Sequence, residues 1–222
     1  MRTLYHHWLS PSSRLVRIVL GEKRLDYALE VEKEWERRPA FLTMNPAGEV
    51  PVLVEDDGTT LADPAAIVEY LDDAYPTPAL HGTDAASRAE VRRLMAWFLI
   101  KQDQEVSRLL VGEKLLKRFL KMGQPDSATI RCAAHNIRTH LGYVDHLAEQ
   151  RHYLAGDRFT LADAAAAAHF SVADYFGDVD WAAHKAAKDW YMRVKSRRSL
   201  RPLLADRIAG LLPPKHYDKL DL

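Results

Sequence analysis

The sequence predicts two units in series: an α/β unit over residues 1–78 and an all-helical unit over residues 86–212, with a tail at 213–222. Three observations predict this. Strand-like and helix-like signals alternate as far as Tyr75, whereas only helical spacing follows Asp84. The stretch from Thr77 to Asp84 between them carries proline and glycine and no periodicity, the mark of a linker. And 47% apolar residues in a chain of 222 supply enough surface for a sizeable core in either one large or two small domains.

Thr3 to Trp8 is short and rich in aromatic residues, which predicts a first strand. After the polar turn Ser10 to Ser13, Leu15, Ile18 and Val19 recur at helical spacing among Arg14, Arg17 and Glu22. Tyr27, Leu29 and Val31 alternate with Glu30 and Glu32, a second strand. Trp35 to Arg38 reads as a charged loop, and Ala40 to Met44 as a short helix ended before Pro46. Val52 to Val54 is a third strand, Asp57-Gly58 a hairpin turn, and Thr59 to Leu61 the return strand. Asp63 caps a helix with Pro64 in its first turn, running to about Tyr75. The order β-α-β, α, β-β-α implies parallel pairing first and an antiparallel hairpin after it.

Beyond the linker, Ser87 to Lys121 predicts a long helix that Gly112 bends or interrupts. Gly123 to Asp126 is a break, and Ile130, Ile137, Leu141, Val144 and Leu147 mark the next amphipathic helix. Further helices are predicted from Leu161, from Ala182 and from Ser199, the last stopped by Pro213-Pro214.

Lys plus Arg and Asp plus Glu number 31 each, so the formal net charge is zero. That removes the electrostatic footprint of a general nucleic-acid binder and any polybasic argument for an anionic membrane. The single cysteine, Cys132, forms no intrachain disulfide. The N-terminus has no signal-peptide apolar region and no apolar run has membrane-span length, so the expected location is the cytoplasm. There is no HExxH, no paired Cys/His spacing and no glycine-rich phosphate loop, so no metal or nucleotide site is expected. His6-His7 falls in the first strand with one side chain inward, and His135 and His140 read as solvated helix residues.

Three segments together resemble the glutathione transferases, in order and spacing and across nearly the whole chain. They are Ser10-Pro11-Ser12-Ser13-Arg14; Asn45 to Leu53 with Leu61 to Leu71 after the hairpin; and Leu154 to Ala164. The resemblance implies a thioredoxin-like N-terminal domain and an all-α C-terminal domain, a homodimer, and glutathione as cosubstrate. It implies that Pro51 follows a cis bond and that the backbone of Val50 pairs with the cysteinyl part of glutathione. It also implies that Ser10 stabilises the glutathione thiolate at a helix N-terminus, where unpaired N–H groups favour an anion. A thiol titrating near roughly 8.5 needs about 2.7 kcal/mol of differential stabilisation to fall by two units. The alternative for Ser10 is helix capping alone, and the same reading is preferred for Ser12 and Ser13. Thr160-Leu161-Ala162-Asp163 reads as a capping box with Asp at the third helical position, a structural element of this family's helical domain.

The sequence also departs from the family. The acid Asp63, suited to the γ-glutamyl ammonium, is followed by Pro64 where a serine usually offers a hydroxyl and an N–H to the γ-glutamyl carboxylate. Losing one hydrogen bond to a charged group weakens binding roughly ten- to a hundred-fold, with the N–H groups of Ala65 and Ala66 left to serve. Lys33, Trp35, Arg37 and Arg38 are candidates for the glycine carboxylate, Trp35 either as an exposed anchor or folded onto the core. The tail from Pro213 to Leu222, with Lys117 to Phe119 and Met122 to Asp126, resembles a group of alphaproteobacterial glutathione-transferase-like proteins that bind the division tubulin FtsZ and bend or bundle its filaments. On that resemblance Trp35 and the tail are partner contacts, though a terminus without fixed structure is the plain alternative. The first functional reading is thus a transferase of low activity acting on a small electrophile in the cleft between the domains. The second is a non-catalytic dimer that binds FtsZ filaments.

Overall fold

The computed structural model describes residues 1–219, so Leu220 and Leu222, which the sequence reading placed in a partner-binding tail, lie outside the described residues. The N-terminal part is a four-stranded mixed sheet in the order β2-β1-β3-β4. β1 (Thr3–His6) pairs in parallel with β2 (Ala28–Val31) across the crossover helix α1 (Pro11–Glu22). β3 (Val52–Val54) runs antiparallel to β1, and β4 (Thr60–Ala62) returns antiparallel to β3. Between β2 and β3 lie a single 3-10 turn, Glu34–Glu36, and the short helix α2 (Pro39–Met44). α3 (Pro64–Ala74) closes the unit. This is the thioredoxin-like arrangement, and each predicted element of it is present.

The linker is held rather than loose. The buried Lys23 ammonium, at the C-terminal end of α1, donates to Asp72 and to the carbonyls of Tyr75 and Pro78. Asp72 in turn accepts from the N–H groups of Leu80 and His81. Asp84 then opens α4 (Ala85–Ala96) with a capping box completed by Ser87.

The predicted long helix is observed as one helical rod built of different turns. After α4 it continues through π-helical turns at Trp97–Ser107, then α5 (Arg108–Val111), a second π segment at Gly112–Leu116 and α6 (Lys117–Phe119). Gly112 opens the second π segment without ending the rod. α7 (Ser127–Gln150), α8 (Leu161–Tyr175), α9 (Lys185–Lys195) and α10 (Arg201–Leu204) complete the helical part.

α8 is the central pillar, buried along its whole length. The alanine run Ala164 to Ala168 explains why: small side chains let α1, α4 and the Trp97–Ser107 segment all pack directly on it. The contact between the two units is tight elsewhere too, since a Cβ built on Gly21 of α1 would stand 3.0 Å from the Ser199 Cα. The polar residues of α8 are partnered: Asp163 by its cap, His169 Nδ1 by Ser107 Oγ at 2.8 Å, and Ser171 Oγ by the Arg14 guanidinium at 2.8 Å.

Three expectations are corrected. The last helix does not extend to Pro213-Pro214 but ends at Leu204, because Asp206 turns inward and its carboxylate takes both Arg17 guanidinium nitrogens, at 2.8 and 3.0 Å. His140 is buried rather than solvated: its Nδ1 accepts from Trp97 Nε1 at 3.0 Å, so its Nε2 carries the proton toward Glu105 Oε2 at 3.1 Å. A third correction concerns the first strand, where both His6 and His7 are buried rather than one of them.

Candidate functional site

The register brings the predicted site residues to one end of the sheet. Tyr5 lies opposite Val52, and Val52 opposite Ala62. The C-terminal ends of β1 and β4 and the N-terminal end of β3 therefore share an edge, and the parallel pairing His6–Val31 adds the end of β2. Ser10, the Trp35 turn, Val50-Pro51 and Asp63 follow or precede those strand ends directly.

Ser10 is the N-cap of α1, with extended backbone, and its Oγ accepts from the Ser13 N–H at 3.1 Å. Capping occupies a lone pair of the hydroxyl and leaves its proton free to donate. Pro11 at the first helical position has no N–H of its own. Ser13 is buried, its Oγ accepting from the His7 N–H at 3.4 Å. Four residues after Ser10, Arg14 is wholly buried and braces the site from below. Its Nε donates to the Trp8 carbonyl at 2.8 Å, and its Nη atoms reach Ser171 Oγ, the Tyr217 hydroxyl and Asp206. Burial opposes the Arg14 charge, but Tyr217 and Asp206 outweigh it and hold the guanidinium protonated.

The Val50–Pro51 bond is cis. The Val50 N–H, however, does not point to open solvent: it donates to Glu34 Oε1 at 2.8 Å. Burial pushes the Glu34 carboxyl up, the Val50 N–H pulls against that, and the charges of Glu49 and Glu32 push the same way as burial. Nothing in the sequence singled out Glu34, which stands among Glu32, Lys33 and Glu36 in a charged stretch.

Asp63 caps α3 from a left-handed backbone, φ +75°, an unusual state for a residue with a Cβ. Its Oδ1 accepts from the N–H groups of Ala65 at 2.9 Å and Ala66 at 3.0 Å. Those two donors, expected to remain for the γ-glutamyl carboxylate, are therefore taken by the cap itself. With Pro64 offering none, the first turn of α3 presents no free N–H at its tip.

Arg37 also has a left-handed backbone, φ +46°, and its guanidinium lies over Gly48, so close that a Cβ there would meet Nη1 at 2.7 Å. Arg38 pairs with the buried Glu32 carboxylate and Lys33 with Glu36. Trp35 is half-buried, neither free nor sunk in the main core. Its ring packs 5.8 Å from His7 and 6.2 Å from Phe119 of α6. Together these rings line an open cavity of about 510 Å³ completed by Trp8, Val31, Lys33, Glu36 and the segment Arg207–Ala209. A second cavity of about 370 Å³ lies at Asp63 and Pro64 against Met95, Leu99 and Ile100. Neither is lined by Ser10 or Val50.

The wall at Arg207–Ala209 is held by the start of the tail. Tyr217 is fully buried against Leu9, Leu115, Val172 and Tyr175. Its hydroxyl accepts from Arg14 at 2.9 Å and donates to the Leu203 carbonyl at 3.3 Å. His216 Nε2 meets the buried Asp174 carboxylate at 3.1 Å. The sequence pointed to the tail but missed His7, Arg207 and Ile208 as lining residues. Their signal is tertiary, since residues 7, 35, 119 and 207 meet only once both units are folded. Among the described residues, no group of three or more His, Cys, Asp or Glu side chains is placed to hold a metal ion, and no helix is long and apolar enough to cross a membrane.

Comparison with known proteins agrees with this geometry at the level of family and narrows it in one direction. Residues 4–79 match the family model for the glutathione S-transferase N-terminal domain, and residues 127–198 match that for the C-terminal domain. FtsZ-localized protein A of Caulobacter vibrioides is 50% identical over 99% of this chain and 98% of its own length. A crystal structure of a glutathione S-transferase from Rhodospirillum rubrum F11 superposes with a TM-score of 0.98 at 55% identity, covering both chains completely. The structure of FzlA from C. crescentus superposes with a TM-score of 0.96 at 50% identity, covering 100% of this chain and 99% of that one. On sheet order, domain matches and full-length similarity alike, this chain belongs to the glutathione S-transferase family.

Proposed function

We propose that this chain is a non-catalytic, dimeric, cytoplasmic protein of cell division that binds FtsZ filaments through the cavity headed by Trp35 and Phe119. The observation that carries the reading is that the donors a glutathione molecule would use are satisfied from within. Val50 N–H is bonded to Glu34, and the N–H groups of Ala65 and Ala66 are bonded to Asp63. The Trp35 cavity, by contrast, is open, with Trp8, Val31, Phe119 and Ile208 beside the charged side chains of Lys33, Glu36 and Arg207, and Phe119 and Val31 are among the exposed large apolar side chains of the described residues. An aromatic anchor at the centre of such a patch is the usual source of binding energy in an interface. The full-length similarity to a protein named for its localisation with FtsZ supports the choice of partner. A symmetric dimer would present the cavity twice, enough to bridge two filaments.

The test is cosedimentation with FtsZ polymers. Trp35→Ala is expected to weaken binding by about thirty-fold, the loss of a 2 kcal/mol anchor, while leaving the thermal unfolding temperature nearly unchanged. Pelleting of the wild type no greater than in a control without FtsZ would reject the reading. Truncation after Leu212 is the poorer probe, since it also deletes the buried Tyr217 that supports the fold.

One observation favours the other reading, glutathione transfer to a small electrophile: the Ser10 hydroxyl keeps its proton at the α1 N-terminus, where a thiolate would be stabilised. In that reading Val50, Pro51 and Asp63 hold the tripeptide, and Trp35 and Arg37 meet its glycine end. Retention on immobilised glutathione and conjugation of chlorodinitrobenzene distinguish it, and no binding at millimolar glutathione excludes it.

A further inference from the structure

A backbone N–H left outside the sheet ladder is a docking point for the carbonyl of an extended peptide, and Val50 stands two residues ahead of β3 and outside its pairing with β1 and β4. At Val50 that point is filled by a side chain of the same molecule, sixteen residues earlier in the sequence. The filling is built, not incidental. Glu34 sits in the tight 3-10 turn Glu34–Glu36, whose C-terminal residue Arg37 adopts the left-handed conformation and lays its guanidinium over Gly48, two residues before Val50. The turn is thus hydrogen-bonded to the loop before β3 through Glu34 and lies against that loop at Arg37, one on each side of Trp35. Glu34 is partly buried there, with Glu32 and Glu49 near enough to raise its carboxyl further, an environment that disfavours a charged side chain lacking a donor.

We infer that Glu34 is an internal ligand of the cis-proline edge, occupying the Val50 N–H in place of a peptide carbonyl and so excluding extended γ-glutamyl thiol peptides from this face. The mechanism is competition. A peptide that docks on Val50 must first displace the Glu34 carboxyl from that hydrogen bond, in a neighbourhood that Glu32 and Glu49 make unfavourable for its charge. This exclusion is separate from the one Pro64 imposes at the other end of the tripeptide, and it does not depend on whether FtsZ is the partner.

Glutathione titration calorimetry on the full chain tests it. Three proteins carry Pro64→Ser, so that the α3 end is no longer limiting: one with Glu34 intact, one with Glu34→Gln and one with Glu34→Ala. Glu34→Ala is expected to bind glutathione at least about ten-fold more tightly than the parent, the size of one hydrogen-bond competitor removed. Glu34→Gln, whose amide oxygen still accepts from Val50, is expected to stay within about two-fold of the parent. Equal affinity of Glu34→Ala and parent overturns the inference. So does an equal gain in the Gln and Ala variants, which would assign the effect to charge rather than to occupancy. Hydrogen exchange of the Val50 amide gives a reading without ligand: it is expected to accelerate in Glu34→Ala and not in Glu34→Gln, and unchanged protection in Glu34→Ala also overturns the inference.

Discussion

Acidification is expected to unfold this chain above pH 4, with stability falling by up to about 4 kcal/mol per pH unit once the pH drops below the ordinary histidine range. Three buried histidines carry the largest shifts, and burial also lowers His81 and His140, which act in the same direction. Burial, helped by the charges of Arg17, His7 and Arg14, lowers His6 to about 3. Burial lowers His7 to about 4, and burial with the charge of His140 lowers His169 to about 3. Each folded-state value lies below the unfolded value of 6.5. The unfolded chain therefore binds protons first as pH falls, and the folded state loses about 1.4 kcal/mol per histidine per unit from there down to about pH 4. Carboxylates add to the loss only lower down: Glu90, held at about 2 by Arg93 and Arg151, and Glu22, lowered by Arg197 and Ser199 against its burial. Asp103 and Asp178 act the other way, because burial raises them and the folded state takes up their protons before the unfolded one does.

A typical domain has only about 5–15 kcal/mol to lose, and the roughly 10 kcal/mol that the three histidines remove between the ordinary histidine range and pH 4 is of that size. Urea unfolding at pH 7, 6 and 5 measures the slope directly. His6→Leu is expected to reduce it by about 1.4 kcal/mol per unit, one proton fewer taken up on unfolding. Superimposable slopes for the two proteins would remove His6 from the account.

What the sequence could reveal tracks how local each interaction is. The Thr160–Asp163 box and the Asp63 cap with Pro64 beside it are written in three or four consecutive residues, and both are observed as read. The strands were legible because Tyr27, Leu29 and Val31 alternate and Asp57-Gly58 can hardly be anything but a turn. His140 was misjudged by attending to residue type over position: it stands three residues after Ile137 and four before Val144, on the buried stripe of α7. Glu34 was out of reach for another reason. Apart from Trp35 it stands among charged residues, and only the fold reveals that this one turns back onto Val50. The same holds for Tyr217, whose burial needs Arg14, Tyr175 and Leu115 from three separate elements. The edge that would hold a peptide was visible, and the side chains that fill it were not.

Replacing Asp163 by alanine is expected to destabilise the chain by at least about 4 kcal/mol, more than a typical substitution, because it strands several buried donors at once. Oδ1 accepts from the Leu154 N–H at 2.9 Å and from Trp190 Nε1 at 2.9 Å. Oδ2 accepts from the Thr160 N–H and hydroxyl, both at 3.0 Å. Burial raises the carboxyl, while these four donors pull it back toward the charged form. Asp163→Asn keeps one acceptor oxygen and turns an NH2 toward donors on the other side, so about half the loss is expected. Urea unfolding at pH 7 measures both, and a loss under about 1 kcal/mol for the alanine variant would contradict the assigned network. The consequence reaches the Trp35 cavity. Asp163 fixes the start of α8, and the far end of α8 carries Ser171 and Asp174, which hold Arg14 and His216. Arg14 holds Tyr217, and Tyr217 anchors the segment whose Arg207–Ala209 stretch walls the cavity. A cap outside the cavity lining thereby sets the geometry of its wall, and on the proposed reading Asp163→Ala is expected to weaken FtsZ pelleting even at temperatures where most of the protein stays folded.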